Sequence, residues 1–172
     1  VKENCLTLYS GRAVAKHIKS KTRPSVVFVL PSTEISGGIM VALKHAKFMQ
    51  EEGYDVTILA SNPSLEWMEF EGHRFPVIYQ EKHPVYAWFD KAVATMWCTT
   101  PFVEVHPAIG ERYYLVQNYE VDFYKPNVPL RIQANQTYNL SRDIKYITIS
   151  KWCKEWLLEK YDKEATYAPN GI

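Results

Sequence analysis

The chain has 172 residues, of which 47% are hydrophobic and 23% are charged, and its formal net charge is +1. This length fits one domain with a sizeable core, and the near-neutral charge disfavours nucleic acid as a partner, because binding a phosphate backbone needs a concentrated basic face. No run of 18 apolar residues occurs in the sequence, so no membrane-spanning segment is predicted.

Residues 1–24 are predicted to form an N-terminal extension that packs on the domain. They are basic, a helix is expected over Gly11–Lys19, and Pro24 stands just before the first strand. Their apolar stretches are too short for a signal peptide, so none is expected. The domain itself is predicted to span residues 25–172.

A strand, a glycine-containing loop and a helix open the domain. Ser25–Leu30 is a short apolar run typical of a buried strand, and a helix is predicted over Gly37–Glu52, where apolar residues recur at helical spacing. Ser36 can cap the start of this helix, and Gly53 can adopt the left-handed conformation that ends it. A second strand, β-branched and largely apolar, is predicted over Asp55–Ala60.

Strands and helices continue to alternate along the rest of the chain. Pro, Gly and Asn residues interrupt Asn62–Pro76, which is predicted to be irregular, and a loop is expected over Asn118–Pro129. Further strands are predicted around Val77 and over Lys91–Trp97, Arg112–Gln117, Lys145–Ser150 and Ala165–Pro169. The remaining predicted helices are Thr99–Ile109, Leu130–Leu140 and Lys151–Tyr161, the last with Trp152, Trp156 and Leu157 facing inward.

This alternation predicts an α/β fold, a doubly wound and mainly parallel sheet of the Rossmann-like type. Apolar, β-branched strands of this kind are buried on both faces and lie next to one another. The strands expected side by side are those that start near Val26, Asp55, Lys91, Arg112 and Lys145.

Polar or glycine-rich motifs follow five of the predicted strands. Ligands of open parallel sheets bind beyond the carboxyl ends of the strands, so these motifs are expected to converge on one concave edge. The Gly37-Gly38 turn also precedes a helix, whose free N–H groups and positive dipole end suit a diphosphate. The motifs are Ser32–Gly38, Thr99-Thr100, Gln117–Glu120, Ser150-Lys151 and Asn170-Gly171.

Several of these residues have a structural alternative. Gly37-Gly38 can serve close packing of a helix on a sheet, and neither a Gly-x-Gly-x-x-Gly fingerprint nor a Walker motif is present. Glu120 can orient a sugar hydroxyl or assist proton transfer, or it can cap a turn or pair with Lys125. The five histidines lack metal-ligand spacing, and His106 either approaches the cleft or has a structural role.

Two further features bear on location and partners. Cys5, Cys98 and Cys153 are widely spaced among apolar or aromatic neighbours, which indicates reduced thiols and a cytoplasmic protein. The aromatic cluster His83–Phe89 is interpreted as core packing, with an acceptor pocket or peripheral contact with a membrane surface as alternatives.

Four segments together resemble a known family. The Ile35–Gly38 loop ISGG, YLVQNYEVDFY, YITISKW and the terminal PNGI are similar to the N-terminal domain of GT-B glycosyltransferases of family 4, in particular bacterial members similar to rhamnosyltransferases of surface-polysaccharide assembly. The resemblance covers Ser25 to Ile172. Asn118 stands where the related pattern commonly has Asp, so a carboxylate role at this position is not implied.

The resemblance implies a retaining enzyme that moves a sugar from a nucleotide-diphosphate sugar to a glycan or lipid-linked acceptor, without a metal or other cofactor. Its donor-binding C-terminal domain, with a Glu-x7-Glu element, is not in this chain, so that domain is an expected partner and the chain alone should be inactive. The implied location is the cytoplasm or the inner face of the membrane. The implied substrate-binding residues are Ser36, Gly37 and Gly38 towards the diphosphate, Gln117, Asn118 and Glu120 on the acceptor side, Ser150 and Lys151 at the cleft floor, and Asn170 and Gly171 at the hinge, with Glu120 the candidate catalytic group.

Two other readings remain open. A non-catalytic module of the same fold could bind a glycan or a partner, or the chain could be one subunit of a two-subunit glycosyltransferase. A sugar-nucleotide epimerase is disfavoured, because its Gly-x-x-Gly-x-x-Gly and Tyr-x-x-x-Lys motifs are absent.

Overall fold

A computed structural model describes residues 23–60, 65–78, 87–140 and 143–170 of the chain. The helix predicted over Gly11–Lys19, Cys5 and Gly171 lie outside these ranges. The strands in the described part are β1 (Ser25–Leu30), β2 (Asp55–Ala60), β3 (Trp67–Phe70), β4 (His73–Ile78), β5 (Phe89–Ala94), β6 (Ile109–Val116), β7 (Ile144–Thr148) and β8 (Ala165–Tyr167). The helices are α1 (Gly37–Glu51), α2 (Thr100–Val105), α3 (Pro129–Gln136) and α4 (Lys151–Tyr161), with short 3₁₀ helices at Trp97–Thr99 and Glu120–Phe123.

All eight strands form one sheet in the order β3-β4-β2-β1-β5-β6-β7-β8. Every neighbouring pair is parallel except β3 and β4, which are antiparallel. The predicted doubly wound, mainly parallel α/β fold is therefore confirmed. The five strands expected side by side are also adjacent, in the order β2-β1-β5-β6-β7.

Apolar side chains cover both faces of the central strands. Val26, Phe28 and Leu30 of β1 join an apolar cluster with Leu43 and Ala46 of α1 on one face. Val27 and Val29 point to the opposite face, where α2, α3 and α4 contribute Phe102, Ala134, Cys153, Trp156 and Leu157 to a second cluster. The alternation of side chains along β1 thus divides the core into two layers.

Capping at both ends of α1 agrees with the sequence prediction. The Ser36 hydroxyl accepts a hydrogen bond from the Ile39 N–H at 3.4 Å, which satisfies a donor of the first turn. At the other end Gly53 has φ +90°, and the Tyr54 N–H donates to the Met49 carbonyl at 3.0 Å.

Trp152 corrects one prediction for α4. It was expected to face inward, but 55% of it is exposed, whereas Trp156 and Leu157 are buried as predicted. The buried positions Cys153, Trp156 and Leu157 follow the i, i+3, i+4 spacing of one helix face, and Trp152 lies outside that face.

The antiparallel strand β3 was not predicted from the sequence. Glu71 and Gly72, with φ +47° and +80°, form a two-residue turn between Phe70 and His73, which pair with each other. Two positive φ angles are the signature of the hairpin turns that match strand twist. The predicted irregular segment Asn62–Pro76 is therefore largely a hairpin in its described part.

Several predicted boundaries also differ from the structure. β5 ends at Ala94 rather than Trp97, and α2 ends at Val105 rather than Ile109, because a residue before proline, here His106, disfavours helical geometry. The helix predicted over Leu130–Leu140 is α3, which ends at Gln136. The last predicted strand, Ala165–Pro169, ends at Tyr167, and the predicted loop Asn118–Pro129 contains the 3₁₀ helix Glu120–Phe123.

An aromatic cluster packs α4 against residues that follow β6 and α3. The Trp156 ring lies 4.8 Å from Tyr119, 4.9 Å from Tyr138 and 5.9 Å from Tyr161, measured between ring centroids. The Tyr119 and Tyr161 hydroxyls are 3.0 Å apart. Cys98 and Cys153 are buried and are not in disulfides, which agrees with the expectation of reduced cysteines.

Candidate functional site

A cavity of about 370 Å³ lies at the carboxyl ends of the central strands. After β1 the chain continues through β2 to the β4 side of the sheet and then returns to β5 on the other side of β1. Such a reversal of strand order opens a crevice where open α/β sheets bind their ligands. The cavity is lined by Pro31, Ser36, Gly38, Ile39, Thr95, Met96, Gln117, Asn118, Glu120 and Phe123.

The start of α1 forms one wall of this cavity. Gly37 and Gly38 occupy the first turn, where amide groups have no partner within the helix and the helix dipole is positive. A Cβ on Gly38 would lie 3.5 Å from Gln117 Oε1, whereas a Cβ on Gly37 would meet nothing within 4 Å. Gly38 therefore faces the cavity and Gly37 faces away from it.

Gln117 spans the crevice from the end of β6. Its Nε2 donates to the Gly38 carbonyl at 3.1 Å and approaches the Thr95 carbonyl at 3.4 Å. One side-chain amide thereby links the first turn of α1 to the ends of β5 and β6. Its Oε1 would lie 3.5 Å from a Cβ on Gly38, so the amide also presents an acceptor near this wall of the cavity.

Glu120 lies beneath the cavity and is 3% exposed. Its Oε2 accepts a hydrogen bond from the Trp97 N–H at 2.6 Å and another from the Tyr114 hydroxyl at 3.1 Å. Burial raises the pKa of this carboxyl from 4.5 to about 7, and the two hydrogen bonds oppose that rise. No ion pair joins it to Lys125 in the described ranges, so that sequence-based alternative is wrong.

Two buried tyrosines complete the surroundings of Glu120. The Glu120 N–H donates to the Tyr138 hydroxyl at 3.1 Å, and Tyr138 stacks on Tyr114 with the ring centroids 6.1 Å apart. Burial first, and then the Glu120 charge, raise the pKa of both phenols. Both hydroxyls therefore stay protonated. Tyr114 donates to the Glu120 carboxylate, and Tyr138 accepts from the Glu120 backbone N–H.

The structure brings together five of the sequence-predicted site residues around the cavity, namely Ser36, Gly38, Gln117, Asn118 and Glu120. The Asn118 Oδ1 accepts from the Tyr119 N–H at 2.8 Å, which fixes the side-chain amide. Thr95, Met96 and Phe123 also line the cavity but were not predicted. The two residues after β5 were missed because the strand was expected to continue to Trp97.

Four other predicted site residues do not line the cavity, and Gly171 lies outside the described ranges. Gly37 faces away, as given above. The Ser150 hydroxyl instead caps α4 by accepting from the Cys153 N–H at 3.3 Å, and the Lys151 ammonium lies 5.9 Å from the Tyr167 ring centroid. Asn170 follows β8 at the far edge of the sheet, three strands from β5.

His106 has a structural role and does not approach the cleft. Its Nε2 is 2.9 Å from the Ala87 carbonyl, and its ring stacks on Phe102 with the centroids 4.8 Å apart. It precedes the amino end of β6, at the opposite edge of the sheet from the cavity. Burial lowers the pKa of its imidazole below the usual 6.5.

The described residues contain neither a candidate metal cluster nor a helix that could span a membrane. In the described ranges, no three His, Cys, Asp or Glu side chains come together in a way that could hold a metal ion. None of the helices there combines the length and the apolar character needed to cross a membrane.

Neither the models of known protein families nor the curated protein sequences give a significant match to this chain.

Proposed function

We propose that this chain is the acceptor-side domain of a retaining GT-B glycosyltransferase, which transfers a sugar from a nucleotide-diphosphate sugar to a glycan or lipid-linked acceptor. One observation carries the proposal. The ISGG and QNYE segments, on which the resemblance rests, lie 79 residues apart and meet across one cavity, with Gln117 Nε2 3.1 Å from the Gly38 carbonyl. The cavity also lies at the strand-order reversal where α/β sheets bind ligands.

The two walls of the cavity suit different parts of such a reaction. The amides of the first turn of α1 would contact the donor diphosphate, since a helix start attracts anions. The Gln117 and Asn118 amides would hold acceptor hydroxyls, because planar amides both donate and accept hydrogen bonds. Asn118 would act through its NH₂ group, as its Oδ1 already accepts from the Tyr119 N–H.

The chain by itself would bind and orient substrates rather than complete the reaction. Among the described residues that line the cavity, Glu120 is the one ionisable group, and its Oε2 is already engaged by Trp97 and Tyr114. The charge that develops on the leaving diphosphate would be stabilised by amides of this domain together with cations of a second domain. We therefore propose Glu120 as a positioning residue rather than a proton-transfer group.

The engagement of the Glu120 carboxylate by Trp97 and Tyr114 also favours a second candidate function. A domain whose described cavity residues include no free acid or base is also suited to bind a glycan or to recruit a catalytic partner. This covers both a non-catalytic module of the same fold and one subunit of a two-subunit glycosyltransferase. In either case sugar transfer would require another polypeptide, at the cytoplasm or the inner face of the membrane.

Titration of the chain with a panel of nucleotide-diphosphate sugars tests the proposal. A few amide hydrogen bonds contribute roughly 0.5–1.5 kcal/mol each, and ordering the ligand opposes them. We therefore expect about 4 kcal/mol of net binding, near 1 mM, and no sugar transfer. Micromolar affinity, or turnover by the chain alone, would show that the donor site has been misplaced.

Two glycine variants test whether the cavity is the site. Gly38→Ala places a methyl group against Gln117, whereas Gly37→Ala places one in open space in the same helical turn. Both changes favour the helix by up to about 1 kcal/mol, so their effects on folding should match. We expect Gly38→Ala to weaken binding measured by NMR titration, Gly37→Ala to retain it, and Gly38→Val to abolish transfer in a protein that carries both domains. Equal behaviour of the two alanine variants would contradict this site.

A further inference from the structure

Phe123 places an aromatic ring at the candidate cavity. It lies at the end of the 3₁₀ helix Glu120–Phe123, lines the cavity together with Gln117 and Asn118, and is 51% exposed. Its neighbours Val121 and Tyr124 are both buried in the core. These neighbours supply the packing of the loop, so the Phe123 ring is open to contact from the cavity.

The loop that carries Phe123 is held in place by Arg131 of α3. The Arg131 Nη1 donates to the Val121 carbonyl and to the Tyr124 carbonyl, in both cases at 2.8 Å. Its Nη2 donates to the Asp122 carboxylate at 3.2 Å. The backbone is therefore fixed on both sides of Phe123. A ring that is presented from a fixed loop loses little conformational freedom when a ligand binds, which favours affinity.

Two side-chain amides supply polar groups beside this ring, since Gln117 and Asn118 follow the same strand, β6. The Gln117 NH₂ group donates to the Gly38 carbonyl, so its Oε1 is the acceptor that it can offer to a ligand. The Asn118 Oδ1 accepts from the Tyr119 N–H, so its NH₂ group is the donor that it can offer. The pair suits hydroxyl groups, because a hydroxyl both donates and accepts hydrogen bonds.

The charge of the lining favours an uncharged ligand on this side of the cavity. The described residues that line it include no lysine, arginine or histidine. Away from the start of α1, a carboxylate or phosphate would therefore find no side-chain cation among these residues. Because a buried charge without a partner is costly, a neutral ligand that carries hydroxyl groups matches this wall better than an acidic one.

A sugar ring combines the two properties that this wall requires. Its hydroxyl groups lie around the ring edge, and a face of the ring presents C–H groups whose hydrogens are partly positive, because their carbons are bonded to oxygen. The face of a phenyl ring is negative and attracts such hydrogens. Building on the proposed function, we propose that Phe123 is the stacking platform of the acceptor subsite, which takes a neutral sugar ring with its hydroxyls towards Gln117 and Asn118. The acceptor is then recognised through a glycan and not through a lipid chain.

Substitutions at Phe123 in the full chain test this inference. The probes are the methyl glycosides of glucose, galactose, mannose and rhamnose, with sorbitol as a ligand that has hydroxyls but no ring. In NMR titrations we expect at least one glycoside to bind, with the C–H protons of one ring face shifted upfield by the phenyl ring, and sorbitol not to bind. Phe123→Leu should weaken glycoside binding by about 2- to 10-fold, because leucine is apolar but not flat, whereas Phe123→Tyr should retain it.

Phe48→Leu is the matched control, because Phe48 has a similar exposure of 57% and does not line this cavity. This variant should bind glycosides as the parent does, and thermal unfolding of each variant verifies that it is folded. Equal glycoside binding by the parent and Phe123→Leu, or no binding of any glycoside, would overturn the inference. Binding of decyl phosphate that is lost in Phe123→Leu, without binding of glycosides, would assign the ring to a lipid chain and also overturn it.

Nucleotide-sugar titrations of the same variants separate this inference from the proposed function. The donor is expected at the α1 wall, so Phe123→Leu should leave donor binding unchanged while Gly38→Ala weakens it. If donor binding depends on Gly38 but no glycoside responds to Phe123, the stacking platform alone is wrong. If neither donors nor glycosides bind, the proposed function fails together with it.

Discussion

Glu120 connects the loops that follow β5 and β6. Its Oε2 holds the Trp97 N–H, and its own N–H is held by Tyr138, so the carboxylate fixes two walls of the cavity from below. An ionised carboxylate at 3% exposure is costly, and its hydrogen bonds compensate only part of that cost, which is why the pKa rises to about 7. Near neutral pH this group therefore destabilises the fold that it organises.

The Glu120→Gln variant should reveal this cost as a pH-dependent gain in stability. The carboxyl loses its proton near 4.5 in the unfolded chain and near 7 in the folded chain, so its contribution is complete below about 4.5 and is lost as the pH rises through 7. The shift corresponds to at most about 3 kcal/mol. We expect the free energy of unfolding of Glu120→Gln, relative to the parent, to rise by about 1–3 kcal/mol between pH 5 and pH 8 in urea titrations. A relative stability that does not change with pH would show that the carboxylate is not destabilised by burial.

At the start of helix α4, Ser150 has a structural role that differs from the role predicted from the sequence. Ser150 follows β7 and precedes the helix, which made it a candidate for substrate binding. Its hydroxyl accepts the Cys153 N–H, so its demonstrated contact is a helix cap. The opposite end of the helix is closed by Asp162 in the left-handed conformation, with φ +52°.

Substitutions at Ser150 separate capping from binding. Ser150→Ala removes the cap and should lower the free energy of unfolding by about 1 kcal/mol, whereas Ser150→Asp should retain it because aspartate also caps helices. Chemical denaturation of the three proteins measures the difference. If Ser150→Ala instead left stability unchanged and weakened nucleotide-sugar binding, the capping interpretation would be the one to abandon.

The sequence predicted elements best where one local signal was enough. The apolar run of β1 and the Ser36 and Gly53 caps of α1 gave bounds within one residue of the structure. β3 was missed because its four residues, WMEF, contain one fully buried side chain, and only the Glu71-Gly72 turn identifies the hairpin. The predicted inward face of α4 wrongly included Trp152, because this residue is apolar but lies outside the buried face of the helix.

At the scale of the whole molecule, the strand order determines which parts of the sheet are best protected. β1 and β5 lie at the centre of the eight strands, and β3 and β8 lie at the edges with four and three residues. Central strands open only when the whole domain unfolds, whereas edge strands can open locally.

Hydrogen exchange followed by mass spectrometry should reproduce this ranking. Amides of β1 and β5 should exchange slowest and those of β3 and β8 fastest, since among the described strands the edge strands have a neighbour on one side only. Peptides from β7, which has neighbours on both sides, serve as the internal comparison. Protection of β8 equal to that of β1 would mean that the sheet continues past its described edge.

The strand order also explains which part of the candidate site was predictable. Parallel strands place their carboxyl ends at one edge, so the sequence predicted the correct edge for Gly38 and Gln117. It did not predict that β5 returns beside β1, because strand order depends on long-range pairing and not on local pattern. Ser150 follows β7, two strands from β5 and thus about 10 Å to the side, and it does not line the cavity.

The aromatic cluster around Trp156 gives the chain an optical property. Three tyrosine rings lie with their centroids within 5.9 Å of that indole. At such separations excitation absorbed by a tyrosine passes to tryptophan before it can be emitted, so the folded protein should fluoresce almost entirely as tryptophan. Tyrosine emission would emerge when the chain unfolds and these rings move apart. Loss of this packed cluster on unfolding can therefore be followed in solution by the emission spectrum, without any attached dye.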